Sequence, residues 1–178
     1  MAILLGDYVF AASATFVCDT QNVRVIRRFS ETIMQLSSGE LLEYYRGYDW
    51  TQTRSDYYER ISHKTASLFE TACESGALLS GIDEASVQAL RTYGYNIGMA
   101  FQIVDDILDA KDPSGMSADS TGKDELHQKA TYPSLHGLET SQTMATELVE
   151  EAIGQLDFLG SRGEILKGLG RFISVRRF

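Results

Sequence analysis

The sequence predicts an all-α protein, a single helical domain over residues 1–178. Apolar residues recur at three- and four-residue spacing through most of the chain, which is the period of a helix with one buried face. Only 2 residues are proline, so little interrupts these helices, and no run alternates apolar and polar residues as a strand would. With 43% hydrophobic residues the chain can bury a core, so the predicted architecture is a helical bundle.

The first two predicted helices span residues 3–18 and 23–45. The first is strongly apolar from its start and has no polar residue before it to serve as an N-cap. We expect it to be buried, which implies neighbouring elements that are missing or supplied by another subunit. The second helix carries a stripe of apolar side chains at helical spacing, namely Ile26, Phe29, Ile33 and Leu36.

A third helix is predicted over residues 55–78. Thr53 followed by Asp56 resembles a capping box, although Asp replaces the usual Glu or Gln. The residues His63-Lys64-Thr65 interrupt the apolar pattern of this helix. Its inward face is predicted to contain Tyr57, Ile61, Leu68 and Ala72.

A fourth helix is predicted over residues 84–110, with Asp83 as its cap. It ends at Asp112-Pro113-Ser114-Gly115, because Pro and Gly together do not continue a helix. A polar loop then reaches residue 131. The apolar face of this fourth helix contains residues at helical spacing, namely Tyr93, Ile97, Phe101, Val104 and Leu108.

The chain closes with a short turn at Tyr132-Pro133 and two further helices, 141–158 and 163–177. Arginines end the last of these, at Arg171, Arg176 and Arg177. The helix before it has apolar residues on one side, namely Met144, Leu148, Ala152 and Leu156.

Charge and cysteine content limit the classes of function. The net charge of -9 argues against a general nucleic-acid-binding surface. Cys18 and Cys73 have no metal-ligand spacing and lie in apolar helices, so we interpret them as reduced core thiols of a cytosolic protein. The apolar N-terminus is similar to a signal peptide, but Asp7 and the lack of a preceding basic residue argue against one. No segment reaches the ~18 uninterrupted apolar residues of a membrane span.

A polar stripe lies beside the apolar face of the fourth helix. Gln102, Asp105 and Asp109 share it, and Asp106 is adjacent. The C-terminal end of a helix carries partial negative charge, so these carboxylates need a cation. Mg²⁺ is the natural candidate, because it takes oxygen ligands and often shares its shell between carboxylates and a substrate phosphate. The alternative is a solvated acidic helix end.

Several motifs in order resemble the trans-isoprenyl diphosphate synthases, the polyprenyl synthetase family. The segment Phe101-Gln102-Ile103-Val104-Asp105-Asp106-Ile107-Leu108-Asp109 is preceded by Lys64-Thr65-Ala66-Ser67-Leu68-Phe69 and followed by Lys129-Ala130-Thr131-Tyr132-Pro133. Gly6-Asp7-Tyr8-Val9-Phe10-Ala11 and Gly39-Glu40-Leu41 are similar to that family's middle helices. The resemblance covers essentially every residue, and its specificity comes from order and spacing, since each motif alone is weak.

The resemblance implies an isoprenoid-synthase-type bundle in which two Asp-rich motifs face each other across an apolar cavity. Magnesium ions would bridge these motifs to an allylic diphosphate, which is condensed with isopentenyl diphosphate. Asp105, Asp106 and Asp109 match the second motif, with Asp105 and Asp109 as the expected direct ligands. Asp124 matches an acidic loop residue that supports the metal cluster. The family also implies a homodimer, or a heterodimer with a complete synthase.

The resemblance assigns the substrate contacts to four further residues. Lys64 and Lys129 match lysines that hold the allylic diphosphate. Thr65 and Gln102 match residues near the departing oxygen and the carbocation. Glu40 and Glu43 share one side of the second helix. They are either solvent-facing charges or acids that support this site.

The chain departs from the family pattern in two places. The first Asp-rich motif should precede the Gly6-Asp7-Tyr8 helix, and the chain starts at Met1. Family members also carry a Gly-Lys pair where this chain has Ala118-Asp119, and Lys123 restores it only if the loop is rethreaded. Interactions of this kind are each worth ~2.7–4 kcal/mol of barrier, so we expect the isolated chain to be weak or inactive.

Four interpretations stay open at this point. The chain is the C-terminal portion of a Mg²⁺-dependent prenyltransferase, or it is a non-catalytic partner subunit of a complete synthase. A relative of the terpene cyclases shares the cation chemistry, but the segments at Lys64 and Lys129 favour the synthases. The last interpretation is a helical domain without a ligand.

Overall fold

A computed structural model describes residues 1–47, 49, 51–111 and 130–176 of the chain. These residues form helices and no strand, which confirms the predicted all-α class. A π-helical turn, Ser62–Ala66, joins α3 to α4, and a 3-10 segment, Asp157–Gly163, precedes the last helix. The helices are α1 (Ala2–Asp19), α2 (Val23–Arg46), α3 (Arg54–Ile61), α4 (Ser67–Ser80), α5 (Glu84–Lys111), α6 (Tyr132–His136), α7 (Leu138–Gly154) and α8 (Glu164–Val175).

Helix α5 lies at the centre of the described core. Its N-terminal half packs with α4, α7 and α8 around Tyr93 and Ile97. Its C-terminal half packs with α3, α6 and α7 around Ile103 and Val104. The predicted apolar face is confirmed at Tyr93, Ile97 and Val104, which are buried, while Phe101 and Leu108 are only half-buried. Because the Asp-rich motif belongs to this second half, its backbone is held by packing on several sides.

The predicted inward face of residues 55–78 is correct for its first half only. Tyr57 and Ile61 are buried, but Leu68 is 53% exposed and Ala72 is also exposed. The π-helical turn Ser62–Ala66 interrupts the α-helical repeat between the two halves, so the spacing of the inward face in α3 does not continue into α4. The buried residues of α4 are accordingly Ser67, Thr71, Glu74 and Ala77.

Two of the buried residues of α2 are polar, Arg28 and Thr32, which the apolar stripe did not predict. Arg28 makes ion pairs with Glu70 at 2.6 Å and with Glu74 at 3.0 Å. Thr32 forms a hydrogen bond with Thr71. The stripe that includes Ile26 and Phe29 is half-buried. Helix α2 is therefore joined to α4 largely through charge and hydrogen bonds.

Helix α1 was predicted to be buried. In the described part of the chain none of its residues is buried. It packs against α2, where the rings of Phe10 and Phe29 stack at 6.2 Å.

Cys18 is exposed on α1, so its assignment as a core thiol was wrong. Cys73 is half-buried, and burial raises the pKa of its thiol to about 11. By length and composition α1 could cross a membrane, which is weak support for a span.

The predicted helix starts are confirmed by their hydrogen bonds. Thr53 and Asp56 exchange side-chain and backbone hydrogen bonds as a capping box. The Asp83 carboxylate accepts a hydrogen bond from the backbone N–H of Ser86 in the first turn of α5. Each cap satisfies backbone donors that a helix end leaves unpaired, so the starts of α3 and α5 are set locally.

Candidate functional site

Two glycines allow neighbouring helices to approach the π-helical turn that carries Lys64 and Thr65. A Cβ atom at Gly39 of α2 would lie 2.3 Å from the backbone nitrogen of Lys64. A Cβ atom at Gly98 of α5 would lie 2.5 Å from the Ala66 Cα. Both distances are far shorter than a van der Waals contact, so only glycine fits at either position. The turn is consequently held in direct contact with α2 and α5.

Lys64 is paired with two carboxylates of α2. Its Nζ lies 2.8 Å from Glu43 and 3.0 Å from Glu40, and its side chain is 31% exposed. Burial alone would lower the pKa of Lys64, but these two ion pairs outweigh it and raise the pKa above its usual value. The lysine is therefore a fixed cation at neutral pH, and the two glutamates support it.

A chain of hydrogen bonds connects the π-helical turn to the Asp-rich motif. The Thr65 hydroxyl donates to Gln102 Oε1 at 2.7 Å, and Gln102 Nε2 donates to Asp106 Oδ1 at 3.0 Å. The Tyr57 hydroxyl donates to Asp106 Oδ2 at 2.7 Å. The structure therefore brings together Thr65, Gln102 and Asp106, one aspartate of the motif.

Asp106 faces the interior and is 7% exposed. Besides Tyr57 and Gln102, the backbone N–H of Tyr132 points to it at 3.5 Å. Burial and the adjacent carboxylate raise the pKa of Tyr57 well above its usual value, so its hydroxyl stays a donor. Asp106 thus anchors α3, α5 and α6 to one another. This position is unfavourable for a direct metal ligand.

Asp105 and Asp109 lie one helical turn apart on the more exposed side of α5. Arg176 Nη2 contacts Asp105 Oδ1 at 2.5 Å. Among the residues that the structure describes, no group of three metal-binding side chains converges. Two carboxylates at this spacing nevertheless fit a Mg²⁺ ion whose remaining ligands are water and phosphate oxygens. The two direct ligands remain a prediction.

Several residues of the predicted site lie outside the described residues, namely Lys129, Asp124, Asp119 and Lys123. The described chain resumes at Ala130, directly after Lys129. The backbone N–H of Ala130 donates a hydrogen bond to the Gly47 carbonyl, and the Ala130 carbonyl accepts one from Arg60 at 2.6 Å. Arg60 is buried, with 3% exposure. The backbone next to Lys129 is thereby tied to α2 and α3.

Sequence reasoning did not identify Tyr57 or Arg176 as part of this site. Tyr57 was recognised only as a core residue, because its spacing does not reveal the hydroxyl contact with Asp106. Arg176 was recognised as one of the basic residues that end the last helix, and its partner lies 71 residues away in sequence. Both contacts depend on how distant helices pack.

Comparison with known proteins decides the family of this helical site. The sequence model described as "Polyprenyl synthetase" matches residues 1–160. The chain belongs to the polyprenyl synthetase family. A geranylgeranyl diphosphate synthase of Cyanophora paradoxa is 36% identical over 99% of this chain and 62% of its own length. Heptaprenyl diphosphate synthase component 2 of Bacillus subtilis is 32% identical over 85% of this chain and 47% of its own length.

Solved structures of polyprenyl synthases share the fold. The polyprenyl synthase from Caulobacter crescentus CB15, solved in complex with calcium and isoprenyl diphosphate, superimposes with a TM-score of 0.90 at 26% identity. That match covers 99% of this chain and 66% of the other. The chain thus has the isoprenoid-synthase-type helical fold and spans about half the length of the curated relatives it matches.

Proposed function

We propose that this chain supplies the half of a trans-prenyltransferase site that contains the second Asp-rich motif. The enzyme would condense an allylic diphosphate with isopentenyl diphosphate and require Mg²⁺. The observation that carries this proposal is the hydrogen-bonded path from Thr65 through Gln102 to Asp106, beside the cation of Lys64. The solved Caulobacter crescentus polyprenyl synthase, which holds calcium and isoprenyl diphosphate, supports the same substrate class.

The residues of this chain would act on both fragments of the substrate. As the allylic C–O bond breaks, its electron pair leaves with the diphosphate, and the ammonium group of Lys64 stabilises the growing negative charge. Bound Mg²⁺ would neutralise the same charge as a Lewis acid. Thr65 and Asp106 fix the Gln102 amide, whose oxygen dipole faces the positive charge left on carbon. The alkene of isopentenyl diphosphate then attacks this carbon, and a proton is lost.

An apolar surface is needed around the allylic cation, because water would capture it. Phe101, directly before Gln102, packs its ring against Phe69 with 5.5 Å between the centroids. These rings supply apolar surface next to the amide. We assign Gln102 as the polar group that faces the cation.

The proposal is tested by calorimetry of the 178-residue chain with inorganic pyrophosphate and with an allylic diphosphate, each with and without Mg²⁺. We expect binding that requires Mg²⁺ and that weakens at least about tenfold in Asp105→Ala, the scale typical of altered metal sites. Glu150→Ala removes an exposed carboxylate on α7 and is the matched control. Binding that is independent of Mg²⁺, or unchanged in Asp105→Ala, would contradict the proposal.

A second candidate is a non-catalytic partner subunit of a complete prenyl diphosphate synthase. Two observations favour it: the apolar side chains of α1 are exposed, and one relative is named as component 2 of a heptaprenyl diphosphate synthase. We also propose that α1 and α2 form the subunit contact, in a homodimer or a heterodimer. A cytosolic location fits the two free cysteines.

Co-purification with a full-length synthase distinguishes the two candidates. A partner subunit should bind that synthase and change its product or rate, and Asp105→Ala should not alter this effect. A catalytic half should lose its contribution in the same variant. A strictly monomeric chain in sedimentation, with no association in the mixture, would argue against the partner role.

A further inference from the structure

We propose that Arg176 is a further residue of the metal and diphosphate site, a positioning residue that orients Asp105. The inference rests on the proposed function, because it concerns the same carboxylate. Arg176 follows the last residue of α8, and its Nη2 contacts Asp105 Oδ1 at 2.5 Å. An arginine from the end of the described chain therefore reaches the first aspartate of the motif.

The guanidinium group of Arg176 is held by two groups on the same side of α5. Its Cζ lies 4.6 Å from the centroid of the Phe101 ring. Phe101 and Asp105 are four residues apart, so ring and carboxylate are neighbours on the helix surface. The Arg176 side chain is only 12% exposed. A guanidinium that is stacked and largely buried keeps one orientation, which suits it to align a carboxylate.

The end of α8 is itself attached to α5 and the core. Ile173 is 4% exposed and belongs to the cluster around Tyr93 and Ile97. The Tyr93 hydroxyl donates to the Leu166 carbonyl at 2.8 Å. The position of Arg176 is therefore set by packing along the whole of α8.

The contact leaves Asp105 able to bind a metal ion. Arg176 Nη2 contacts Oδ1, and the Asp105 side chain is 43% exposed, so it remains open to solvent. Carboxylates that bind metals are commonly fixed by a hydrogen bond from a neighbouring group, and loss of that group typically weakens metal binding. The positive charge of Arg176 also favours an anionic ligand beside the metal. Arg176 therefore increases the affinity for the Mg²⁺ complex of pyrophosphate.

Calorimetry with inorganic pyrophosphate and Mg²⁺ tests this role in the 178-residue chain. We expect Arg176→Gln to bind about tenfold more weakly and Arg176→Lys, which keeps the charge, to bind with intermediate affinity. Arg171→Gln is the matched control, since Arg171 lies on α8, is 60% exposed and forms a 3.9 Å ion pair with Glu164. Circular dichroism at the same temperature identifies any variant that is unfolded, and the lysine variant then carries the test.

The possible results separate the inference from the proposed function. If the unsubstituted chain binds and Arg176→Gln binds equally well, the positioning role is wrong while the proposed function stands. Tighter binding by Arg176→Gln would mean that the arginine competes with the metal, which also overturns the inference. If the unsubstituted chain does not bind Mg²⁺ and pyrophosphate at all, the proposed function fails and the inference fails with it.

Discussion

Individual residues of the Asp-rich motif have different surroundings, although the sequence presents them as equivalent carboxylates. Asp106 is buried and accepts hydrogen bonds from Tyr57 and Gln102. Asp105 is half-buried and contacts Arg176. Asp109 is exposed. The motif therefore combines one structural carboxylate with two that remain candidates for metal binding.

At this scale we predict that Tyr57→Phe destabilises the fold. The substitution removes only the hydroxyl group and leaves the ring in place. The buried Asp106 carboxylate would lose a charge-assisted hydrogen bond, worth about 1.5–3 kcal/mol. Urea-induced unfolding measures the free energy of unfolding. Tyr45→Phe on α2 is the control, because Tyr45 is 76% exposed. Equal stability of the two variants would show that the contact contributes nothing.

Among the elements, the π-helical turn Ser62–Ala66 has the largest effect on the site. It interrupts the α-helical repeat between α3 and α4 and lies between Gly39 of α2 and Gly98 of α5. The turn carries Lys64 and Thr65, and π-helical turns are frequent at functional sites. The local geometry of the candidate site is therefore inseparable from the packing of three helices.

At the element scale we predict that Gly39→Ala separates α2 from the π-helical turn. The added Cβ would lie 2.3 Å from the Lys64 backbone nitrogen, and overpacking of this kind costs about 1–3 kcal/mol of stability. Binding of Mg²⁺ and pyrophosphate should weaken as well, since Lys64 moves. Gly76→Ala on α4 meets nothing within 4 Å and is the control. It should be neutral or stabilise the helix by about 0.5–1 kcal/mol.

For the Gly39 variant, denaturant unfolding gives the stability and calorimetry gives the affinity. A stable Gly39→Ala chain with unchanged affinity would contradict the prediction that direct contact of α2 with the turn is required. A chain that is less stable but binds normally would limit the role of Gly39 to folding.

For the whole molecule, a buried network of charges joins helices that are far apart in sequence. Arg28 of α2 pairs with Glu70 and Glu74 of α4, and Arg91 of α5 pairs with Glu70 at 2.6 Å. Burying charges costs desolvation energy, so this network contributes more to the relative position of the helices than to net stability. It fixes α2 beside α4 and α5, which in turn places Glu40 and Glu43 at the site.

At this scale we predict that Arg28→Met strongly destabilises the protein. Removing one partner of a buried pair leaves uncompensated charge and costs about 3–5 kcal/mol. We expect the lower end, because Arg91 still neutralises Glu70. Arg27→Met is the control, since the Arg27 side chain is 78% exposed and its ion pair with Glu31 is 3.8 Å long. Thermal unfolding followed by circular dichroism measures both, and a similar Tm for the two variants would refute the prediction.

The sequence by itself determined the all-α class, the main helices and the family. These features rest on local signals, namely the helical period, the caps at Thr53 and Asp83, and the order of the motifs around Lys64 and Asp105. Each signal lies within a few residues, so the chain carries it without reference to distant elements. The length of α5 and the short turn at Tyr132 were predicted for the same reason.

Only the tertiary structure decided which side chains meet. Leu68 is exposed and Thr71 is buried, because the π-helical turn interrupts the α-helical repeat on which the predicted face depends. The inward orientation of Asp106 and the contact of Arg176 with Asp105 depend on packing between helices distant in sequence. Contacts of this kind are set by how whole faces fit together, and no local pattern encodes them.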